Sequence, residues 1–149
     1  MTGDGYLTGR TRLAGVMGWP VAHSLAPRLH GHWLCRYRID AAYVPLAVPP
    51  ERLEQALRAL PALSFAGVNL TIPHKEAAAL LVDRLAPAAE RIGAVNTVVV
   101  EPDGTLLGDN TDGFGFIASL TESGAGWRAA AGPAVLLGAG GAARAVAVA

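Results

Sequence analysis

The residues in this chain best suited to chemistry are polar groups that follow apolar runs: His23 and Ser24, then Asn69, Thr71 and Lys75, then Asn96 and Asp112. In an open α/β sheet, ligands bind in the crevice beyond the carboxyl ends of the strands, so polar groups at strand ends are candidates for one shared site. A lysine and a carboxylate in such a crevice are types that transfer protons. Lys75 is the most telling of the set. Pro73 is expected at the first helical position, which puts Lys75 in the first turn, where the helix dipole disfavours a cation.

Taken singly, each residue has a plainer reading. Lys75 reads as an exposed lysine held by Glu76 or a nearby acid, and Asp112 in Thr111-Asp112-Gly113 as a helix N-cap contributing ~1 kcal/mol. Thr71 reads as a strand residue, Asn96 as the closure of a backbone turn, and Ser24 as part of the cap of the helix opened by Pro27. Only the combination points to a site. His23, His30 and His32 have no metal-ligand spacing and no accompanying carboxylate cluster, so no metal is assigned.

A second motif is backbone chemistry. Gly138-Ala139-Gly140-Gly141-Ala142-Ala143 follows the apolar run 133–137 and opens an Ala/Val-rich segment, matching G-x-G-x-x-G/A. The first glycine permits a tight turn, and the second lets backbone approach a pyrophosphate. The small third residue allows close helix–strand packing, with the helix N-terminus facing the anion. The alternative is a tight strand–helix turn in an Ala-rich chain. An acidic or basic residue about 20 positions further on would read the ribose 2′ position. That position lies past Ala149, so the motif does not separate NAD from NADP.

The elements that position these groups alternate. Leu13–Met17 reads as a buried strand feeding the His23-Ser24 loop, and Leu29, Trp33, Leu34 and Tyr37 recur at helical spacing after Pro27. A strand over 42–48 carries Pro45, which argues for an edge, and Pro50 opens a helix with Leu53, Leu57 and Leu60 on one face. A third strand covers 65–72, with a helix from Pro73 to about Leu81 and another over 87–92. Residues 94–100 and 105–107 flank Pro102-Asp-Gly104 as a hairpin, and a helix follows over about 113–120. This is an α/β pattern: a three-layer α/β/α substrate domain on a mainly parallel sheet, then the first strand (133–137) and turn of a Rossmann domain. Composition shifts to Gly, Ser and Ala near 113–130, including the loop 124–126 and 129–132, which divides the chain into 1–113 and 114–149.

At 149 residues the chain is long enough for one domain with a core. Twelve basic and twelve acidic residues balance, so no general field attracts nucleic acid or anionic membrane. No apolar stretch reaches the ~18 residues of a membrane span. Residues 1–12 lack the apolar segment of a secretory signal, and Cys35 is the single cysteine, both of which fit a reducing cytoplasm. Cys35, among Trp33, Leu34 and Tyr37, reads as a small packed thiol.

Together, Gly18-Trp-Pro-Val-Ala-His-Ser24, Asn69-Leu-Thr-Ile-Pro-His-Lys75, Gly93-Ala-Val-Asn-Thr97, Asn110-Thr-Asp112 and Gly138-Ala-Gly-Gly-Ala142 resemble the shikimate dehydrogenase family in order and spacing. The resemblance runs from about residue 12 to the end, over the N-terminal half of a family member. It implies an α/β substrate domain before a Rossmann domain, and reduction of 3-dehydroshikimate to shikimate with NADPH in aromatic amino-acid biosynthesis. By position it implies Lys75 and Asp112 as the catalytic pair, with Lys75 the proton-transfer group. Ser24, Thr71, Asn96 and Asp112 would bind substrate, and Gly138, Ala139, Gly140, Gly141 and Ala142 the phosphates of NADP. The chemistry is compatible, since ketone reduction needs a proton at oxygen as hydride reaches carbon.

The family usually has Ser-x-Ser-Pro where this chain has Ser24-Leu-Ala26-Pro27, so the second hydroxyl, which the family presents to the substrate carboxylate, is absent. A hydrogen bond to a charged group is worth about 1.5–3 kcal/mol, so the expectation is weaker shikimate binding or a related ligand such as quinate or an aminoshikimate-like analogue. A quinate or other cyclohexene-acid dehydrogenase and a non-catalytic shikimate-binding module remain alternatives. The chain reads as an N-terminal fragment without turnover by itself. Strand 133–137, apolar on both faces, is expected to be mobile or to self-associate, as a homodimer or otherwise, for want of neighbouring strands.

Overall fold

The computed structural model describes residues 7–123, 126–128 and 131–149; parts of the glycine- and alanine-rich linker, at 124–125 and 129–130, and residues 1–6 lie outside them. Strand β1 (Arg12–Gly18) leads to helix α1 (Ala26–Arg36), and β2 (Ala41–Ala47) leads through a 3-10 turn, Pro50–Arg52, to α2 (Leu53–Ala59). Then come β3 (Phe65–Leu70), α3 (Lys75–Ala78), the short β4 (Arg84–Leu85), α4 (Pro87–Ile92), β5 (Thr97–Val100), β6 (Leu106–Asp109), α5 (Asp112–Glu122) and α6 (Gly141–Val148).

The six strands lie in the order β2-β1-β3-β5-β6-β4. The β1–β2, β1–β3 and β4–β6 pairs are parallel, and the expected hairpin supplies the antiparallel β5–β6 pair and its antiparallel junction with β3. β2 is an edge strand, so the N–H that Pro45 lacks costs no ladder bond on the open side. Register sorts the side chains by face. Met17, Leu46 and Leu70 share a row on one face with Val68 and Val98, whereas Ala14, Tyr43 and Gly67, then Asn69 and Thr97, lie on the other.

Helices α2, α3 and α4 seal the first face, where Leu53, Leu57, Leu60, Val95, Val98 and Leu106 are buried in one cluster. The second face carries α1, which contacts β1 and β2 and has no buried residue. Here the expectation of a packed helical stripe fails: Leu29, Trp33 and Tyr37 are exposed, and so is Cys35, which is not a packed thiol. The small residues Ala14 and Gly67 under α1 leave little for it to grip.

The expected strand at 133–137 does not pair, because a parallel strand needs lateral neighbours and none of the described residues provides one; Leu137 is 96% exposed. Its helix is nonetheless docked. Ala145 of α6 packs with Ile92 and Ala94, and a Cβ on Gly113 of α5 would fall 2.8 Å from the Ala145 carbonyl oxygen, so only glycine allows that approach.

Candidate active site at the carboxyl end of the sheet

Lys75 follows β3, Asn96 precedes the antiparallel β5, and Asp112 follows β6, so topology alone delivers all of them to one end of the sheet. Local pairing then fixes their backbones: Val95 N–H donates to the Lys75 carbonyl at 2.7 Å, Asn96 N–H to Asp109 at 3.0 Å, and Leu70 N–H to Asn96 at 2.8 Å. Pro73 is not the first helical residue as expected. It lies after a cis peptide bond inside a turn closed by His74 N–H and the Thr71 carbonyl, and α3 begins at Lys75.

Lys75 Nζ donates to Asp112 Oδ2 at 2.6 Å, and the two side chains are 19% and 28% exposed. Lys75 is thus held by a nearby acid, as its plainer reading allows, but part-buried rather than exposed, whereas the cap reading of Asp112 fails. Glu76 pairs not with Lys75 but with Arg144 of α6 at 2.9 Å, and Asp112 caps nothing, since it is the first residue of α5 and Thr111 occupies the cap position. Asn110 does the local work instead, accepting from Asp112 N–H at 3.0 Å while its own amide donates to the Ala94 carbonyl at 2.9 Å. The second carboxylate oxygen, Oδ1, takes a hydrogen bond from Asn96 Nδ2 at 2.8 Å. Asn96 is buried, and Thr111 N–H donates to its Oδ1 at 3.1 Å, which fixes which end of the amide faces the aspartate.

Thr71 and Lys75 line a cavity of about 550 Å³ together with Glu76, Gly138, Gly140 and Gly141. The structure therefore brings Thr71, Lys75, Asn96 and Asp112 to one place and sets the glycine turn against it. Ser24 is on the same end of the sheet, since Trp19 N–H at the start of its loop donates to the Ile72 carbonyl at 3.1 Å. Its Oγ accepts from Ala26 N–H at 3.3 Å, and among the described residues no hydrogen bond joins it to Lys75, Asn96 or Asp112. That Ser24–Ala26 bond is a local turn rather than a formal helix cap.

The glycine turn has the tight backbone and close helix packing that a dinucleotide phosphate loop needs. Gly138 has φ of 132°, a value that side chains disfavour, and a Cβ on Gly141 would stand 3.1 Å from Ala94 Cβ and 3.2 Å from Lys75 Cβ. Gly140 holds the cap position of α6 without a side-chain bond, and Glu76 Oε1 would stand 3.7 Å from a Cβ placed there.

His74, inside the Asn69–Lys75 motif, is buried and has no sequence signal for a role. Its Nε2 lies 2.8 Å from the Val48 carbonyl, which can only accept, so Nε2 carries the hydrogen and ties the β2 exit to the turn before Lys75. Burial pushes its pKa below 6.5, against an upward pull from the Val48 bond. Tyr43, Thr97, Asn110 and Thr111 were likewise given no role. Register sets Asn69 and Thr97 side by side on one face of adjacent strands, which no spacing in the sequence shows. Among the described residues no cluster of His, Cys, Asp or Glu could hold a metal, and no helix is long and apolar enough to cross a membrane.

A part-buried lysine–aspartate pair stands at the carboxyl end of an α/β sheet, beside a glycine-rich turn that opens a helix, where open α/β sheets bind ligands. The family model of the shikimate dehydrogenase substrate binding domain matches residues 16–98. The chain belongs to the shikimate dehydrogenase family through that domain. It is 66% identical over 140 residues to shikimate dehydrogenase (NADP(+)) of Rhodospirillum rubrum, covering 94% of this chain and 50% of that protein. The structure of shikimate 5-dehydrogenase of Thermus thermophilus in complex with NADP(H) and shikimate matches with a TM-score of 0.84 and 44% identity, over 92% of this chain and 51% of that one. The ligand-free 5-ketofructose reductase of a Gluconobacter strain matches with a TM-score of 0.82 and 37% identity, over 95% and 50%. The chain thus spans about half the length of the relatives it matches.

Proposed function

We propose that this chain is the substrate-binding part, residues 1–113, and the opening of the cofactor domain, residues 114–149, of an NADP-dependent shikimate dehydrogenase that reduces 3-dehydroshikimate to shikimate. The observation that carries this reading is the part-buried Lys75–Asp112 pair, 2.6 Å apart, beside the glycine turn. Gly138–Ala142 would hold the phosphates of the nicotinamide dinucleotide, which would supply the hydride for the ketone carbon. The chain's own part is the proton. Lys75 Nζ donates to the carbonyl oxygen, so that an N–H bond breaks as the O–H bond of the alcohol forms, and its ammonium charge stabilises the oxygen as negative charge develops. Asp112, held by Asn96, orients the ammonium and accepts from a ring hydroxyl. Thr71 and Ser24 offer hydroxyls to the rest of the ligand.

Ala26 bears on the ligand. Its methyl stands where family members carry a second hydroxyl, and Ser24 Oγ is engaged with the Ala26 N–H. Quinate therefore belongs in the test. Titration calorimetry of the 149-residue chain with shikimate, 3-dehydroshikimate and quinate is expected to show binding of the first two, weakened roughly tenfold or more in Lys75→Ala, in line with a hydrogen bond to a charged group. Quinate binding more tightly than shikimate would move the proposal to a quinate enzyme, and no binding of any of the three would sink it.

A further inference from the structure

On the face of the sheet away from the sealed core, a line of side chains runs from the edge strand to Asp112. Its directions can be fixed one by one. Thr111 N–H can only donate, so Asn96 Oδ1 faces it and Asn96 Nδ2 faces the Asp112 carboxylate. Thr97 Oγ, 2.9 Å from Asn96 Oδ1, must then donate to it, and so has its lone pairs free to accept from Asn69 Nδ2 at 3.1 Å. That places Asn69 Oδ1 toward β2, where the Tyr43 hydroxyl donates to it at 2.7 Å. Every bond therefore points the same way, from Tyr43 through Asn69, Thr97 and Asn96 to the carboxylate that holds Lys75. Donors aligned head to tail polarise one another, so the series strengthens the last bond, to the negative group.

The fold makes room for this reach. Tyr43 pairs in register with Ala14, and Ala14 with Gly67, so small residues occupy the positions between β2 and the strand that carries Asn69. A side chain on Gly67 is excluded because its Cβ would lie 2.3 Å from the Val98 carbonyl oxygen. The His30 ring stacks on the Tyr43 ring, with centroids 4.0 Å apart and planes 9° apart, and covers it from outside. Burial pushes the phenol pKa up to about 12, so it stays protonated and remains a donor.

We propose that Tyr43 is a positioning residue for the Lys75–Asp112 pair, acting through Asn69, Thr97 and Asn96. The inference rests on the reading of that pair as the substrate centre. Without the Tyr43 hydroxyl, Asn69 Oδ1 has lost its donor, and the amide is held only from its Nδ2 end, by Thr97 Oγ at 3.1 Å and the Asn96 carbonyl at 3.4 Å. Its bond to Thr97 is then less polarised, and so is each bond after it, which weakens the Asn96 bond to the carboxylate while Thr111 N–H keeps the Asn96 amide the same way round.

The test uses Tyr43→Phe, which keeps the stacked ring, and Thr97→Val, which cuts the line in its middle without changing shape. Two-dimensional 1H–15N spectra of the ligand-free chain read the side-chain amides of Asn69 and Asn96, and shikimate titrations read the site. Each variant is expected to shift the Asn96 side-chain amide signals and to weaken shikimate binding roughly three- to tenfold, the range of a neutral hydrogen bond. The double variant is expected to do no more than Thr97→Val alone, since both cut one line. Unmoved Asn96 signals in Tyr43→Phe, moved signals with unchanged affinity, or additive losses in the double variant would each overturn the proposal. If the unmodified chain fails to bind shikimate, the substrate reading falls and with it Tyr43's part in that reading, while the ligand-free spectra still show whether the line exists.

Discussion

On one face of the sheet Leu57, Leu60, Val98 and Leu106 are at most 1% exposed; on the other, Trp33 at the middle of α1 keeps 44% and Leu29 keeps 49%. The same strands build both faces, so the difference lies in what each offers a helix. The sealed face presents Val68, Leu70 and Val98, branched side chains that interlock with the leucines of α2. The other presents Ala14, Gly67, the buried Val16 and a row of polar groups, Asn69 and Thr97, that need hydrogen bonds more than cover. The functional consequence is a division of labour. Ala78 of α3 is fully buried in the sealed core, so that face sets where the Lys75 turn stands, while the other face determines how the amides beside Asp112 are oriented.

The sharpest way to break this contrast is to empty the sealed face. Leu57→Ala removes most of a side chain with no exposed surface, and is expected to lower unfolding stability by about 2–5 kcal/mol in urea titration. A loss under about 1 kcal/mol would show that the face is not the close-packed one described here.

Acid is a smaller lever, and it acts on both faces. Burial lowers the pKa values of His74, beside the Lys75 turn, and of His30, over Tyr43, below the ordinary 6.5. The unfolded chain therefore takes up protons first as pH falls. The stability these histidines contribute is complete above about pH 6.5 and is lost as pH drops through their lower folded-state values. The midpoint of thermal unfolding is expected to decline between pH 7.5 and 5; a flat profile there would remove the burial argument. The Nε2–H bond of His74 to Val48 survives protonation, so the decline reflects desolvation of charge rather than loss of that bond.

Much of this was legible in the sequence, and the misses have physical causes. Alternating apolar runs gave the order of strands and helices, and Pro102-Asp-Gly104 marked the hairpin that makes β5 antiparallel. Lys75, Asn96 and Asp112 were named because each follows or precedes a strand. Their pairing is not legible, because Thr111-Asp112-Gly113 fits an aspartate cap equally well, and only the structure shows Thr111 at the cap position with Asn110 accepting from Asp112 N–H. Strand 133–137 was read from its apolar run, but a ladder needs partners as well as composition, and propensity cannot supply them. The packed stripe on α1 failed similarly: helical spacing reveals an apolar face and says nothing of what lies opposite. The link from Tyr43 to Asn69 crosses the intervening strand β1, and the spacing of 26 residues leaves no local trace.

The smallest expected effect is on α1, and it probes the exposed side of the contrast directly. Trp33 meets His30 edge to face at 5.5 Å, with much of its surface left in water. Since an exposed substitution away from buried contacts usually changes stability by no more than about 0.5 kcal/mol, Trp33→Ser should cost that edge contact and little else, under about 1 kcal/mol in the same urea titration. A loss comparable to that of Leu57→Ala would mean that the outer side of α1 is covered in solution. The stacked His30 and Tyr43 beneath it would then owe their order to that cover as well as to the sheet.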